Sequence, residues 1–252
     1  MNMNGEVVVI TGGNTGIGRA ISRAMQAEGA KVVINYVAHE EQAYDLAHEL
    51  NSREPGSAMV CRADITRVSD VRIMFEAVRE HFGGVDVLVN NAGINIPASI
   101  LDLSEEDWDR VLDTNLKGAF LCSREAIPLM LNRGGGVIVN VSSESGMSSI
   151  SCPPTNPHYA AAKMGLIGLT RIMAVNLAPK IRVNAVAPGW IDTEIHNESG
   201  EEGRAALVLS QIPMGRAGNV EEVAQVVLFL SSSQSSYVSG QTIAIGGARV
   251  LH

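Results

Sequence analysis

A continuous β-branched run, Val7-Val8-Val9-Ile10, breaks directly into Thr11-Gly12-Gly13-Asn14-Thr15-Gly16-Ile17-Gly18, and that junction leaves few folds open. Branched residues without a polar interruption predict a strand buried on both faces, as in a parallel sheet. After the turn, Ile17, Ala20, Ile21 and Ala24 recur at core-facing helical spacing, and the helix ends near Gly29. A helix that opens on such a turn offers free N–H groups and a positive dipole end to a pyrophosphate. Gly12 would permit the tight turn, Gly16 would let backbone approach the phosphates, and Gly18 would let the helix lie close to the sheet. Asn14, Thr15 and Ile17 complete the same candidate cradle.

The alternation continues along the chain. Strands are expected at Lys31-Val32-Val33-Ile34, Met59-Val60-Cys61, Val85–Val89, Val137–Val141, Ile181–Val186 and Thr242–Ile245. Helices are expected over 39–52 (Ala43, Leu46, Ala47 and Leu50 inward), through Val71, Met74, Phe75, Val78 and Phe82, and through Val223, Val226, Val227 and Leu230. Ser104 and Asp107 open a further helix, continuing through Trp108, Val111, Leu112, Leu116 and Ala119, with Asn115 on its apolar stripe. Strand alternating with helix predicts an α/β fold: one Rossmann-type domain over residues 1–252, a doubly wound parallel sheet with helices on both faces. No linker or repeat divides it.

Ligands of such a sheet gather at the carboxyl ends of its strands. Asn35 and Tyr36 close the second strand, where a carboxylate would hold the ribose of NAD and an arginine the 2′-phosphate of NADP. Neither residue type occurs at 35 to 38, so the choice of NAD or NADP stays open. Asp64, followed by Ile65, could take the adenine amino group or cap the next helix. The fourth strand ends at Asn90-Asn91-Ala92-Gly93.

The chemistry is expected in the second half. On a helix, residues four apart lie one above the other, which places Tyr159 and Lys163 on one face. A phenol ordinarily titrates near pH ~10, and a neighbouring ammonium lowers that value by favouring the phenolate. The pair then suits general acid/base work. Ser143, at the end of the fifth strand, can donate to a substrate oxygen as charge develops. A serine nucleophile is the rival, but there is no Gly-x-Ser-x-Gly elbow. Asn115 on its own reads as a core asparagine with satisfied partners.

The excess of 27 acidic over 19 basic residues gives a net charge of -8, which argues against nucleic acid or an anionic membrane as the main partner. The three cysteines, Cys61, Cys122 and Cys152, have no metal-ligand spacing, so no metal is expected and reduced thiols are. No basic, apolar leader precedes the first strand, and no apolar run approaches the ~18 residues of a membrane span. The expectation is a soluble, cytoplasmic protein.

Taken in order, Thr11-Gly12-x-x-x-Gly16-Ile17-Gly18, Asp64, Asn90-Asn91-Ala92-Gly93, Asn115, Ser143, Tyr159-x-x-x-Lys163 and Pro188-Gly189-x-x-x-Thr193 resemble the short-chain dehydrogenases/reductases along nearly the whole chain. The resemblance implies hydride transfer between NAD(P) and an alcohol/carbonyl pair, the cofactor supplying the difficult chemistry. It implies Tyr159 as proton donor and acceptor, Lys163 lowering its pKa and holding the nicotinamide ribose, Ser143 steadying the substrate oxygen, and Asn115 holding a water. Asn91, Ala92 and Gly93 would line the cofactor, and Pro188, Gly189, Ile191 and Thr193 would embrace its nicotinamide end. The resemblance also implies a homodimer or homotetramer, in keeping with apolar residues on several sides of the helix after Tyr159.

Asn35-Tyr36, Ser123-Arg124-Glu125-Ala126, His158-Tyr159-Ala160-Ala161, Ile212-Pro213-Met214-Gly215 and Ser236-Tyr237-Val238 resemble the bacterial glucose 1-dehydrogenases within that family. A sugar or polyol is therefore the first substrate expectation, with Asn95, Ser143, Ser145, Tyr159, Trp190 and His196 as its contacts and His158 as a further candidate. Asn95 stands where those enzymes carry a carboxylate. Ile94, Ile96, Met147, Pro153 and Trp190 equally suit an apolar ketone or the acyl chain handled by the related 3-oxoacyl-carrier-protein reductases. The acidic stretch through Glu194, Glu198, Glu201 and Glu202 fits a carrier protein poorly. The segment of about 190–215 has the length of a lid, and a non-catalytic dinucleotide sensor is the alternative of another class.

Overall fold

A computed structural model describes residues 1–148, 156–193 and 209–250. The β-branched runs form strands where expected: β1 (Val7–Ile10), β2 (Lys31–Tyr36), β3 (Ala58–Arg62), β4 (Val87–Asn90), β5 (Gly136–Val141), β6 (Ile181–Pro188) and β7 (Thr242–Ile245). They lie parallel in one sheet in the order β3-β2-β1-β4-β5-β6-β7. The strand order reverses beside β1, whose Val8 pairs with Val32 on one side and Val87 on the other. A cleft at the carboxyl ends of β1 and β4 follows from that reversal.

The period-two alternation of each strand sends neighbouring residues to opposite faces. Val8, Ile10, Val32, Val87 and Val139 meet α1 (Gly16–Ala27), α2 (Glu40–Arg53) and a helix near the C-terminus, α7 (Val220–Ser231). Val7, Val9, Val33, Leu88 and Ile138 meet α3 (Val68–Phe82), α5 (Gly118–Asn132) and α6 (Pro157–Leu177) on the other face. Both faces of the sheet are thus covered, which is why its strands read as unbroken apolar runs.

Two expectations need correction. The helix opened by Ser104, whose hydroxyl accepts from the Asp107 N–H at 3.1 Å, does not continue evenly to Ala119. After α4 (Glu105–Leu112) it widens into a π turn over Asp113–Lys117, then resumes as α5. The Asn115 side-chain amide occupies the Val111 carbonyl at 2.9 Å, the acceptor an ordinary α turn would offer to the Asn115 backbone. Second, α6 is long and apolar enough to cross a membrane by length and composition, with mean hydropathy 1.2, where no such run was expected. Here it lies on the sheet, with Ala162, Leu166, Thr170 and Met173 buried.

Candidate active site

The cleft starts at the glycine turn. Gly12 and Gly16 hold φ of +58° and +47°, a region open to glycine at little cost. A Cβ at Gly18 would overlap the carbonyl oxygen of Gly12, so only glycine lets α1 begin so close to β1. At Gly16 the nearest atom to an added Cβ is the Thr193 methyl at 3.9 Å, which puts Thr193 across an open gap from the turn. The first N–H groups of α1 face this gap, and the cradle fits a dinucleotide pyrophosphate.

Four side chains brace the turn from behind. The Thr11 hydroxyl accepts from the N–H groups of Asn91 and Ala92, each at 3.0 Å. The Asn91 amide donates to the carbonyls of Thr11 and Gly12 at 2.9 and 3.0 Å. Asn14 donates to the carbonyls of Ala38 and His39. Asn35 accepts from the Gly12 N–H at 3.3 Å and donates to the carbonyls of Cys61 and Ala63. The Asn35 side chain is therefore committed to the turn rather than to a ribose. Tyr36 is buried and donates to Glu40 at 3.0 Å, and burial next to that carboxylate pushes its phenol up to about 12.

Asp64 does not cap α3, whose N-cap is Arg67. Its carboxylate accepts from the backbone and hydroxyl of Thr66 at 3.0 and 2.7 Å, in the turn leading to α3. Ile65 is buried against Gly118, so its side chain belongs to the core. Within the glycine motif, only its contacts mark Thr11 as the clamp on Asn91 and Ala92.

At the other end of the cleft, β5 stops at Val141 and Ser143 begins a 3₁₀ turn, Glu144–Gly146. The Ser143 hydroxyl accepts from the Ser145 N–H at 3.2 Å and hydrogen-bonds the Tyr159 hydroxyl. Helical spacing brings Lys163 under Tyr159, its Nζ 5.5 Å from the ring centroid, and Nζ donates to the Val141 carbonyl at 2.9 Å. Asn115 arrives from the π turn and donates to the carbonyl of Ile94 at 2.8 Å, while its Oδ1 is buried without a partner. A Cβ at Gly93 would stand 2.5 Å from that Oδ1 and 3.2 Å from Nζ. Gly93 thus leaves room where an orphaned acceptor and an ammonium converge, as an incoming ribose hydroxyl or water requires.

The expected direction of the Tyr159 pKa is not met. Tyr159 is only partly buried as a residue, but its hydroxyl lies deep, and burial raises its pKa while the bond to Ser143 opposes the rise. Burial likewise pulls Lys163 down to about 8. Both charged forms lose water, and the ammonium faces the ring rather than the hydroxyl, so desolvation outweighs attraction.

Pro188 and Gly189 end β6 against β7, with Gly189 N–H donating to Ile245 at 3.0 Å. Ile191 is buried, and Trp190 accepts from Gly218. Trp190, Ile212, Met214 and Gly247 line a cavity of about 450 Å³ whose lining includes none of Ser143, Tyr159 or Lys163. Asn95 is exposed on the segment after β4. His158 is fully buried with neither ring nitrogen hydrogen-bonded, which takes it away from a substrate-facing role. His196, Pro153, Cys152 and the acidic stretch within 194–208 lie outside the described residues. Among the described residues no His/Cys/Asp/Glu group is placed to hold a metal.

A family profile described as Enoyl-(Acyl carrier protein) reductase matches residues 12–247. The 3-oxoacyl-[acyl-carrier-protein] reductase FabG of Thermotoga maritima is 42% identical over 252 residues, covering 100% of both chains. A protein of the same name from Staphylococcus aureus is 38% identical over 244 residues, 96% of this chain and 97% of that one. Among solved structures, one assigned provisionally as a gluconate dehydrogenase from Agrobacterium tumefaciens matches with a TM-score of 0.93 at 33% identity, covering 99% of this chain and 98% of that one.

Proposed function

The chain belongs to the short-chain dehydrogenase/reductase family and is an NAD(P)-dependent oxidoreductase, and from that premise we propose that it exchanges a hydride with an alcohol/carbonyl pair at Tyr159, with a 3-oxoacyl thioester as the carbonyl substrate. The observation that carries the site is the room left by Gly93 between the orphaned Asn115 Oδ1 and Lys163 Nζ, with the Tyr159 ring over that ammonium and its hydroxyl bonded to Ser143.

The nicotinamide, when bound, supplies the hydride. The glycine turn and the start of α1 would hold the pyrophosphate, and residues 188–193 would flank the nicotinamide. Ser143 donates to the substrate oxygen. During reduction, Tyr159 gives its hydroxyl proton to that oxygen as negative charge develops; during oxidation it takes the proton back. Lys163, with one donor on Val141, keeps two for a ribose hydroxyl and a water. Asn115 Oδ1 accepts from that water and links the site to solvent.

The full-length likeness to relatives named as 3-oxoacyl reductases favours the thioester over the sugar, and the apolar Ile94, whose carbonyl accepts from Asn115, with Ile96 two residues on, suits an acyl chain. A sugar or sugar acid is the second reading, supported by the neighbour assigned as a gluconate dehydrogenase. The exposed Phe120 on α5 and Met164, Ile172 and Val175 on α6 support burial of this face in a homodimer or homotetramer.

The test follows nicotinamide absorbance with NADH and NADPH against acetoacetyl thioesters, and with the oxidised cofactors against sugars and polyols. Thioester turnover exceeding any sugar turnover is expected. Turnover with sugars or sugar acids alone would overturn the thioester reading and leave the hydride chemistry standing.

A further inference from the structure

Glu144 is a carboxyl that the chemistry above does not use. It follows Ser143 directly, is 1% exposed, and neither oxygen has a hydrogen-bond partner. Burial raises its pKa and the nearby charge of Arg249 opposes the rise, so its charged form is harder to hold here than in water. Unpartnered buried carboxyls are rare because their desolvation is uncompensated.

The side chain reaches two glycines on other elements. An added Cβ at Gly189 would lie 2.6 Å from Oε2, and one at Gly246 would overlap Oε1. Gly189 belongs to the segment that runs to Thr193, opposite the glycine turn. Gly246 begins the turn after β7, where the Met214 N–H donates to Gly247 at 3.2 Å and Arg249 donates to Gln211 at 3.0 Å. One side chain therefore stands between the serine turn, the nicotinamide-side segment and the C-terminal turn that holds residues 211–214.

We propose that Glu144 is a positioning residue whose side chain sets Ser143 at a fixed distance from the Gly189–Thr193 segment and the Gly246 turn, so that the proton-transferring groups and the nicotinamide pocket stay in register. Shape, rather than negative charge, does this. The inference rests on the hydride-transfer reading for its catalytic readout, but its structural half is read by cofactor binding alone.

The experiment compares the full chain with Glu144→Gln, Glu144→Ala, Gly246→Ala and the pair Gly246→Ala/Glu144→Asp. Gly246 has no positive φ, so alanine is tolerated by its backbone. Kd for NADH is measured by fluorescence, and kcat and KM by absorbance. Glu144→Gln, which keeps the shape, should stay within about threefold of the parent. Glu144→Ala and Gly246→Ala should each weaken cofactor binding and lower kcat about tenfold or more, the scale of a small misplacement of reacting groups. Shortening to Asp should recover most of the Gly246→Ala loss. Unchanged Kd and kcat in Glu144→Ala, whatever its thermal midpoint, would overturn the proposal. So would a Glu144→Gln variant as impaired as the alanine, or a Gly246→Ala loss that Asp does not recover. A parent that binds NADH but turns over no substrate would instead remove the hydride-transfer reading, and the Kd series would still decide the role of Glu144.

Discussion

Around the first glycine turn, Thr11, Asn14, Asn35 and Asn91 all direct their side chains to backbone atoms. At the other end of the cleft, Asn115 Oδ1, both oxygens of Glu144 and both nitrogens of His158 are buried without partners. The cradle is complete in itself and offers a ligand its N–H groups, an arrangement suited to binding the same group in every cycle. The catalytic end keeps polar atoms unsatisfied and titratable groups away from water, which is where proton chemistry is tunable. On the proposed function the glycine turn serves mainly binding and the other end mainly chemistry, and substitutions in the two regions should fail differently.

The largest effect is expected from Gly18→Ala, which drives a methyl into the Gly12 carbonyl. NADH binding should be lost, or weakened about a hundredfold or more, with turnover falling in parallel because the cradle no longer closes on β1. Fluorescence titration reads the loss; a bound, active alanine variant would break the distinction between the two ends. Asn115→Leu should act the other way, lowering kcat by about tenfold to a hundredfold through loss of proton linkage while NADH Kd changes little. Next comes Thr11→Val, which leaves the N–H groups of Asn91 and Ala92 without their acceptor. It should cost about 1–3 kcal/mol in urea unfolding and raise cofactor KM, whereas Thr11→Ser keeps both near the parent.

The most gradual effect is the pH dependence of stability. The Lys163 pKa falls from its ordinary 10.5 to about 8 in the folded chain, so between these values the unfolded chain binds the additional proton. Stability from this group therefore rises with pH across that window, by at most about 1.4 kcal/mol per unit. Tyr159, raised on folding, contributes an opposite slope only above its ordinary value of 10. The thermal midpoint of the parent relative to Lys163→Met should climb from pH 8 toward 10, and a flat difference would contradict the buried ammonium.

Much of the fold was legible because β-branched runs and glycine turns act locally. Val7–Ile10 and the turn after it specify a buried strand and a helix start without reference to the rest of the chain. What lay beyond the sequence depends on contacts between distant residues. Asn35 stands at the end of β2, where a cofactor contact was expected, yet its amide goes to the turn after β1 and the end of β3. Tyr159 and Lys163 were placed correctly by helical spacing, but the direction of the phenol's pKa required knowing how deeply both groups sit. The π turn at Asn115 and the reach of Glu144 to Gly189 and Gly246 likewise have no periodic signal.

One measurement bears most directly on the claim that the chemistry resides at Tyr159 while binding resides elsewhere: NADH Kd and kcat for Tyr159→Phe beside the parent. The account predicts an unchanged Kd within about twofold and a kcat lower by roughly a hundredfold or more. A phenylalanine variant that keeps the parent's kcat would contradict it.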